Sequence, residues 1–203
     1  MQRSLLTSAL LVLALACSAQ DGPSPHCGTL DTLKVGDTAP VFNVADIHGA
    51  SVDLPSLTKE HEVVLVFYRG AWCPYCNKHM SHLQDSLSLI TAKNAVVLAI
   101  SPELPESAED IVKKSGASFS VIHDEGYRIM CAYGTAFEMP KAQRNKLKLM
   151  GLNVDKANGN EEGVLPVPAT FIIGRDGRIK AVHFDANYKE RMSVKAILSA
   201  LEG

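Results

Sequence analysis

Two cysteines, Cys73 and Cys76, stand three positions apart in the stretch FYRGAWCPYC, directly behind the apolar run VVLV. Such a pair fits three kinds of chemistry: a redox couple, part of a metal site, or a structural disulfide. The chemistry of a cysteine depends on whether its sulfur is a thiolate, and its surroundings decide that. The secondary structure around the pair therefore determines which interpretation is favoured.

The pair lies where a predicted strand, residues 63–68, gives way to a predicted helix. The helix is indicated by apolar residues at steps of three and four: Cys76, Met80, Leu83, Leu87 and Ile90. At its start, free N–H groups and the helix dipole face the Cys73 sulfur, a setting that lowers a cysteine pKa from about 8.5 to about 3.5–7.5. Cys76 lies one turn further in and is expected to be more buried. We therefore predict that Cys73 attacks a disulfide and that Cys76 resolves the mixed disulfide.

A metal site is the second interpretation, because His79 and His82 extend the pattern to C-x-x-C-x-x-H-x-x-H. Each three-residue step on a helix turns about 300°, so that His82 faces roughly opposite Cys73. Four ligands on such a spiral do not converge on one tetrahedral ion. The sequence therefore predicts no metal and no cofactor, with both histidines solvated or partly packed. A purely structural disulfide is the third interpretation.

The rest of the chain predicts an α/β domain over residues 34–203, with a mixed central sheet flanked by helices. Strands are predicted at 96–101 and 119–122, with a helix at 106–116 between them. Further elements are a strand pair around His48-Gly49, a hairpin at 169–184 and a terminal helix from Tyr188. Residues 137–166 fit no element and are interpreted as a structureless insert, which is either functional or plain decoration.

The first residues predict export. Arg3 precedes an uncharged, mostly apolar stretch from Ser4 to Ala16, which is shorter than the roughly 20 residues of a membrane span but fits a signal peptide over residues 1–16. Ala14-Leu15-Ala16 followed by Cys17 resembles a bacterial lipobox, with Cys17 as the lipid-modified residue; simple secretion is the alternative. Residues 17–33, rich in Ser, Pro and Gly, are expected to form a flexible tether. The predicted location is the bacterial cell envelope or periplasm.

Composition and the remaining cysteines narrow the function classes. A chain of 203 residues with 46% apolar and 21% charged residues is expected to form one domain. A net charge of −2 without an arginine-rich stripe excludes nucleic acid as a partner, and a membrane is contacted only through the lipid anchor. Cys131 is expected to be a packed small hydrophobe; a resolving thiol or a disulfide with Cys27 is the alternative.

Together, FYRGAWCPYC and LPVPATFII resemble the thioredoxin superfamily. The segments VGDTAPVFNVADIHGASVDL and HFDANYKERM are similar to AhpC/TSA redoxins, and in particular to peroxiredoxin-like proteins. The resemblance covers residues 34–203. It implies a thioredoxin-like fold with an N-terminal redoxin hairpin and a protein dithiol donor such as a thioredoxin.

The resemblance also implies docking roles around the cysteines. A cis peptide bond at Val167-Pro168 would hold the backbone close to the thiols and expose its polar groups to a partner. Trp72 is interpreted either as an apolar docking rim or as plain packing. Tyr75 is expected to control access, and Pro74 to shape the first helical turn.

The chain departs from the peroxiredoxin pattern P-x-x-x-T-x-x-C. Aligned on the F-Y pair, Cys76 takes the peroxidatic position, Cys73 replaces the threonine and Arg69 replaces the proline. Pro168 stands where a peroxiredoxin arginine would precede the later strand, and Arg69 is a candidate substitute cation near the thiolate.

Three functions follow. The first is thiol–disulfide exchange with Cys73 as nucleophile, acting on oxidised protein disulfides. The second is a peroxidase for hydrogen peroxide or alkyl hydroperoxides, with Cys76 as nucleophile and Cys73 resolving. The third is a non-enzymatic module on the same fold. Asp185, Tyr188 and Arg191 match a family-like D-x-x-Y-x-x-R segment but are expected to be surface residues at a helix start. The oligomeric state stays open.

Overall fold

The structure, a computed structural model, describes Cys27 and residues 31–202. The strands in this part are β1 (Asn43–Ala45), β2 (Ser51–Asp53), β3 (Glu62–Phe67), β4 (Ala95–Ser101), β5 (Ser120–His123), β6 (Ala136–Glu138), β7 (Val164–Pro166), β8 (Ala169–Ile173) and β9 (Ile179–Phe184). The helices are α1 (Leu54–Glu60), α2 (Pro74–Asp85), α3 (Leu87–Thr91), α4 (Pro105–Ser115), α5 (Arg128–Ala132), α6 (Lys141–Leu149), α7 (Val154–Asn158) and α8 (Val194–Ala200).

Five strands form a mixed central sheet in the order β5-β4-β3-β8-β9, as the sequence predicts. β3 pairs in parallel with β4 and antiparallel with β8. The side chains from Val63 to Phe67 have no exposed surface, because helices and loops cover both faces of this central strand. Alternate β3 residues point to opposite faces, so that Leu65 and Phe67 enter one core and Val64 and Val66 the other.

Helix α2 places the cysteine pair on the second of these cores. The predicted apolar stripe is confirmed for Cys76, Met80 and Leu83, which are fully buried against the face that carries Val64 and Val66. The predicted single helix is interrupted at Ser86, so that the rest of the stripe, Leu87 and Ile90, lies on α3. The predicted hairpin around His48-Gly49 is also present, as the antiparallel pair β1–β2. The start of α2 therefore meets the carboxyl end of β3, where the two cysteines lie.

The prediction of a structureless insert is wrong. Residues 137–166 contain α6 and α7, and β6 pairs with β7. Arg144 organises this segment: it is 6% exposed, forms an ion pair with Asp155, and donates a hydrogen bond of 2.7 Å from Nη1 to the Glu161 carbonyl. A buried cation cross-links segments that look polar and irregular in sequence.

The terminal helix begins later than predicted. α8 starts at Val194, after Ser193 caps it by accepting a hydrogen bond from the Ala196 N–H. Residues 185–193 form a loop, which we name the C-terminal loop. Asp185 accepts a hydrogen bond from the Asn187 N–H, and the Asn187 side chain accepts one from the Lys189 N–H. Such side-chain contacts to the backbone compete with helix formation.

Cys131 is not a packed thiol as expected but forms a disulfide with Cys27, which is the alternative interpretation. The two Cα atoms lie 5.2 Å apart, within the usual range for a disulfide. The bond fixes part of the predicted tether 17–33 to α5. The predicted signal peptide over residues 1–16 and the predicted lipidation site Cys17 lie outside the described residues. Across residues 31–202 every helix is too short or too polar to cross a membrane.

Removing the Cys27–Cys131 disulfide with the double change Cys27→Ser and Cys131→Ser should lower the free energy of unfolding. The bond joins residues 104 positions apart, so that its loss frees a long loop in the unfolded chain. The expected decrease is about 2–5 kcal/mol, measured by urea unfolding. The alkylation rate of Cys73 should stay unchanged, because Cys131 packs on the opposite face of the sheet. An unchanged urea midpoint would contradict a stabilising role.

Candidate active site

Cys73 is the residue that caps the start of α2, as the sequence predicts. Its backbone is extended, with φ −94° and ψ 113°, and Pro74 takes the first helical position. A turn leads into it, closed by a 3.0 Å hydrogen bond from the Cys73 N–H to the Gly70 carbonyl. Both thiols are free; Cys73 is 2% exposed and Cys76 is fully buried. The predicted contrast between an exposed Cys73 and a shielded Cys76 is therefore wrong, since both residues are buried.

The two thiols differ sharply in acidity. The pKa of Cys73 is lowered to about 6, mainly because the Cys76 thiol donates a hydrogen bond to its sulfur. Burial opposes this shift, while the Cys76 backbone N–H and the Arg69 and Arg191 charges favour the thiolate. The pKa of Cys76 is raised, first by burial and then by its hydrogen bond and charge interaction with Cys73. Cys73 is therefore the more acidic thiol of the reduced pair.

The reaction of reduced Cys73 with iodoacetamide should follow its thiolate, because only the thiolate is nucleophilic. With the pKa of Cys73 lowered to about 6, the rate should rise through pH 6 and level off before pH 8, where an ordinary thiol is still gaining reactivity. Peptide mapping should place the label on Cys73, and the Cys73→Ser variant serves as the control. A midpoint near that of a free thiol, or label on Cys76, would contradict the assignment.

The C-terminal loop brings two further residues to the cysteines. Arg191 Nη2 lies 3.5 Å from Cys76 Sγ, and its Nη1 donates hydrogen bonds to the Tyr188 and Glu190 carbonyls. Tyr188 lies 4.6 Å from the Arg69 guanidinium, which also lies 4.9 Å from the Trp72 ring. Tyr188 is exposed, as expected, and Arg191 is half-buried, but the expected helix start is wrong: both lie in the C-terminal loop, before α8 begins at Val194. Their only signal in the sequence is the D-x-x-Y-x-x-R match.

A cleft of about 150 Å³ opens beside Cys73. Trp72, Pro74 and Tyr75 line one side, the loop residue Tyr188 another, and Gln143, Leu147 and Leu152 of the insert the third. Arg69 also lines this cleft. The insert is therefore part of the site. The structure places Trp72, Pro74, Tyr75 and Arg69 beside the nucleophile as the sequence predicts, with Trp72 also packed against the insert.

The prediction of a cis peptide bond at Val167-Pro168 is wrong, since the described residues contain no cis peptide bond. The Val167 N–H donates a 2.7 Å hydrogen bond to the Thr135 carbonyl, which continues the β6–β7 pairing and keeps this backbone extended. Both side chains are buried. The Val167 N–H is thus bonded within the fold rather than open to a partner, and neither residue lines the cleft beside Cys73.

The histidines of the extended motif separate. His79 is buried at 6% exposure, and burial lowers its pKa to about 3, so that it is neutral at physiological pH. His82 is exposed. Across residues 31–202, no group of three or more His, Cys, Asp and Glu side chains is arranged to hold a metal ion. The chemistry of the site lies in the sulfurs and the two arginines.

The site is that of a thiol-based oxidoreductase. It has a low-pKa thiol at a helix start, a second buried thiol one turn away, and a mixed sheet beneath them. Solved structures of peroxiredoxins have the same fold as this chain. Peroxidoxin BcpB from Mycobacterium tuberculosis has a TM-score of 0.65 at 19% identity, covering 84% of this chain and 97% of its own. This likeness identifies the fold as thioredoxin-like, as the sequence resemblance predicts.

The chain belongs to the AhpC/TSA family, whose model matches residues 35–182. Peroxiredoxin Bcp of Escherichia coli is 27% identical over 156 residues, which is 77% of this chain and 88% of that protein. The thiol-disulfide oxidoreductase ResA of Halalkalibacterium halodurans is 24% identical over 151 residues, or 74% and 68%. The relatives thus include both a peroxiredoxin and a thiol-disulfide oxidoreductase, the two classes that the sequence left open.

Proposed function

We propose that the protein is a thiol–disulfide oxidoreductase of the cell envelope that cycles Cys73 and Cys76 between dithiol and disulfide. The acidity order of the pair supports Cys73 as the attacking thiol, because the pKa of Cys73 is lowered to about 6 while that of the fully buried Cys76 is raised. The observation that favours exchange over peroxide reduction is that Cys73 and Arg69 occupy the positions of the peroxiredoxin threonine and proline. An acidic attacking thiol and a protonated partner are what exchange requires. The assignment to the cell envelope rests on the N-terminal sequence alone.

In the first step, the Cys73 thiolate attacks one sulfur of the substrate disulfide. The new sulfur–sulfur bond forms as the substrate bond breaks, and the leaving thiolate takes a proton from solvent. The Cys73 negative charge is then lost, and with it a cause that raises the pKa of Cys76. Arg191, at 3.5 Å from Cys76 Sγ, stabilises the Cys76 thiolate as it forms. The Cys76 proton passes to solvent, and the Cys76 thiolate attacks the Cys73 sulfur. The bond between Cys73 and the substrate breaks, the second substrate sulfur takes up a proton, and the substrate leaves as a dithiol.

The oxidised protein then needs two electrons. A protein dithiol donor, such as a thioredoxin, returns them by the same exchange in reverse. No cofactor takes part in this cycle, because both bonds that form and break are between sulfur atoms.

Peroxide reduction is the second candidate, and the small cleft favours it. With Cys73 2% exposed in a cleft of about 150 Å³, a peroxide reaches the sulfur more readily than a folded protein does. The thiolate would attack one peroxide oxygen, the O–O bond would break, and a sulfenic acid with water or an alcohol would result. Condensation with Cys76 would release water and form the same disulfide. The acidity order supports Cys73 over Cys76 as the attacking thiol here too.

Stopped-flow mixing of the reduced protein with hydrogen peroxide, and separately with a protein disulfide such as insulin, tests the proposal. Fast reduction of the protein disulfide, with peroxide reacting no faster than with a free thiol, is the expected result. Rapid peroxide oxidation with slow disulfide reduction would overturn exchange and support the peroxidase. Oxidation by peroxide that persists in Cys73→Ser but not in Cys76→Ser would show that Cys76 is the peroxide-reactive cysteine, as the alignment with the peroxiredoxin pattern places it.

A further inference from the structure

Glu103 is a buried acid that neither reaction above uses. It lies between β4 and α4 and is 1% exposed. Its Oε2 accepts a 2.8 Å hydrogen bond from the Ala71 N–H, in the turn that leads into Cys73. Burying a carboxyl group is costly, so its position at this turn requires an explanation.

The turn from Gly70 to Cys73 is held through the Ala71 peptide groups. The Ala71 carbonyl accepts hydrogen bonds of 3.1 Å from Asn77 Nδ2 of α2 and from Lys114 Nζ of α4. Glu103 holds the N–H side of the same residue, so that three side chains from separate parts of the fold fix it. Gly70 has φ +148°, and a Cβ there would lie 2.7 Å from Glu103 Oε1. The turn and the carboxyl group are therefore in close contact.

Five titratable groups face Glu103. Lys114 and Asp110 lie on α4, Cys73 at the start of α2 and Tyr68 after β3, and the His123 ring bonds the Glu103 carbonyl at 2.7 Å. Burial is the main cause that raises the pKa of Glu103 to about 8; the Ala71 N–H and Lys114 oppose it, and Asp110 and the Cys73 charge add to it. Near neutral pH the group is mainly protonated, and its carbonyl oxygen still accepts the Ala71 hydrogen bond.

We propose that Glu103 is a positioning residue for Cys73, which holds the Gly70–Cys73 turn through its hydrogen bond with the Ala71 N–H. This hydrogen bond holds the carboxyl group at a residue only two positions before Cys73, so its protonation should also respond to the redox state of the cysteine pair. In the disulfide Cys73 has no negative charge, so one cause that raises the pKa of Glu103 is absent. The carboxyl group is then more acidic in the oxidised protein, and reduction near its pKa draws a proton onto it. This inference depends on the dithiol cycle but not on whether the substrate is a disulfide or a peroxide.

Two substitutions separate positioning from packing. Glu103→Gln keeps an oxygen that can accept from the Ala71 N–H, whereas Glu103→Leu fills similar space without an acceptor. We expect the second-order rate of Cys73 alkylation at pH 7 to fall about tenfold or more in Glu103→Leu, and Glu103→Gln to recover most of that loss. Asp124→Asn is the control, because Asp124 is also a buried acid but binds the Ile129 and Met130 N–H groups instead. Equal rates in the Gln and Leu variants would overturn the positioning role.

Carbon-13 NMR of the labelled carboxyl group, assigned with Glu103→Gln, tests the proton uptake in the full chain. The Glu103 titration midpoint should lie higher in the dithiol protein than in the disulfide protein, and Asp124 should show no such difference. The same Glu103 midpoint in both states would overturn the redox link. Both readouts are independent of the natural substrate, so a failure of the proposed exchange reaction would leave them interpretable. If Glu103→Leu fails to fold, Glu103→Gln still tests positioning: it keeps the acceptor for the Ala71 N–H, so a tenfold or larger fall in its Cys73 alkylation rate would overturn the positioning role.

Discussion

Cys73→Ser should abolish turnover, and Cys76→Ser should stop the reaction halfway. Serine lacks a thiolate, so that the rate of disulfide reduction should fall by about 10³-fold or more without Cys73. Without Cys76, the attack by Cys73 still occurs but the mixed disulfide has no thiol to resolve it. We expect a covalent adduct with one substrate molecule per chain, detectable by mass spectrometry under non-reducing conditions.

The control is the Cys27→Ser and Cys131→Ser double variant, which should turn over normally because those sulfurs already form a separate disulfide. Cys76→Ser should also test the acidity order: its hydroxyl group can still donate toward Cys73, so that Cys73 stays reactive. An adduct that forms on Cys76 in the Cys73→Ser variant, at the wild-type rate, would contradict the roles assigned here.

Gly70→Ala should destabilise the protein more than the same change at Gly177 does. Gly70 has φ +148°, which side chains rarely adopt, and a Cβ there would lie 2.7 Å from both Glu103 Oε1 and Trp72 Cδ1. Backbone strain and overpacking add, giving an expected loss of about 2–5 kcal/mol in the free energy of unfolding. Displacement of Trp72 would also disturb Arg69, so the Cys73 alkylation rate should fall in the same variant.

Gly177→Ala is the matched control. Gly177 also has positive φ, at +74°, but no atom lies within 4 Å of its added Cβ. The free energy of unfolding should fall by only about 1 kcal/mol, from backbone strain, and the Cys73 alkylation rate should not change. Urea unfolding and alkylation of both variants give the comparison. Equal losses of stability would show that the contacts around Gly70 contribute nothing beyond its backbone conformation.

The sequence predicts the sheet and the cysteine pair because their signals are local. β3 is a continuous apolar run, and the stripe Cys76, Met80 and Leu83 has helical spacing that places Cys73 at the helix start. The low pKa of Cys73 follows mainly from the hydrogen bond that the Cys76 thiol donates, and also from the Cys76 backbone N–H, both of which the C-x-x-C spacing provides. The local sequence pattern is thus enough to identify Cys73 as the more acidic thiol of the pair.

The rest of the site depends on contacts between distant residues. Arg191 meets Cys76 across 115 positions, and the Cys27–Cys131 disulfide spans 104. The insert looks irregular because its organising residue, Arg144, is a buried cation rather than part of an apolar stripe. Glu103 likewise looks in sequence like an ordinary acid in a polar loop. Only the structure shows that it accepts a hydrogen bond from the Ala71 N–H. No periodicity in the sequence records such pairings.

The central claim is that Cys73 and Cys76 form one reversible redox couple. Its most direct test is to treat the fully reduced active-site pair with one equivalent of a small disulfide and to map all sulfur linkages by mass spectrometry. The account predicts one intramolecular Cys73–Cys76 disulfide, two released small thiols and an unchanged Cys27–Cys131 bond. Stable adducts on Cys73 with Cys76 left as a thiol, or linkage of either to Cys27 or Cys131, would contradict it.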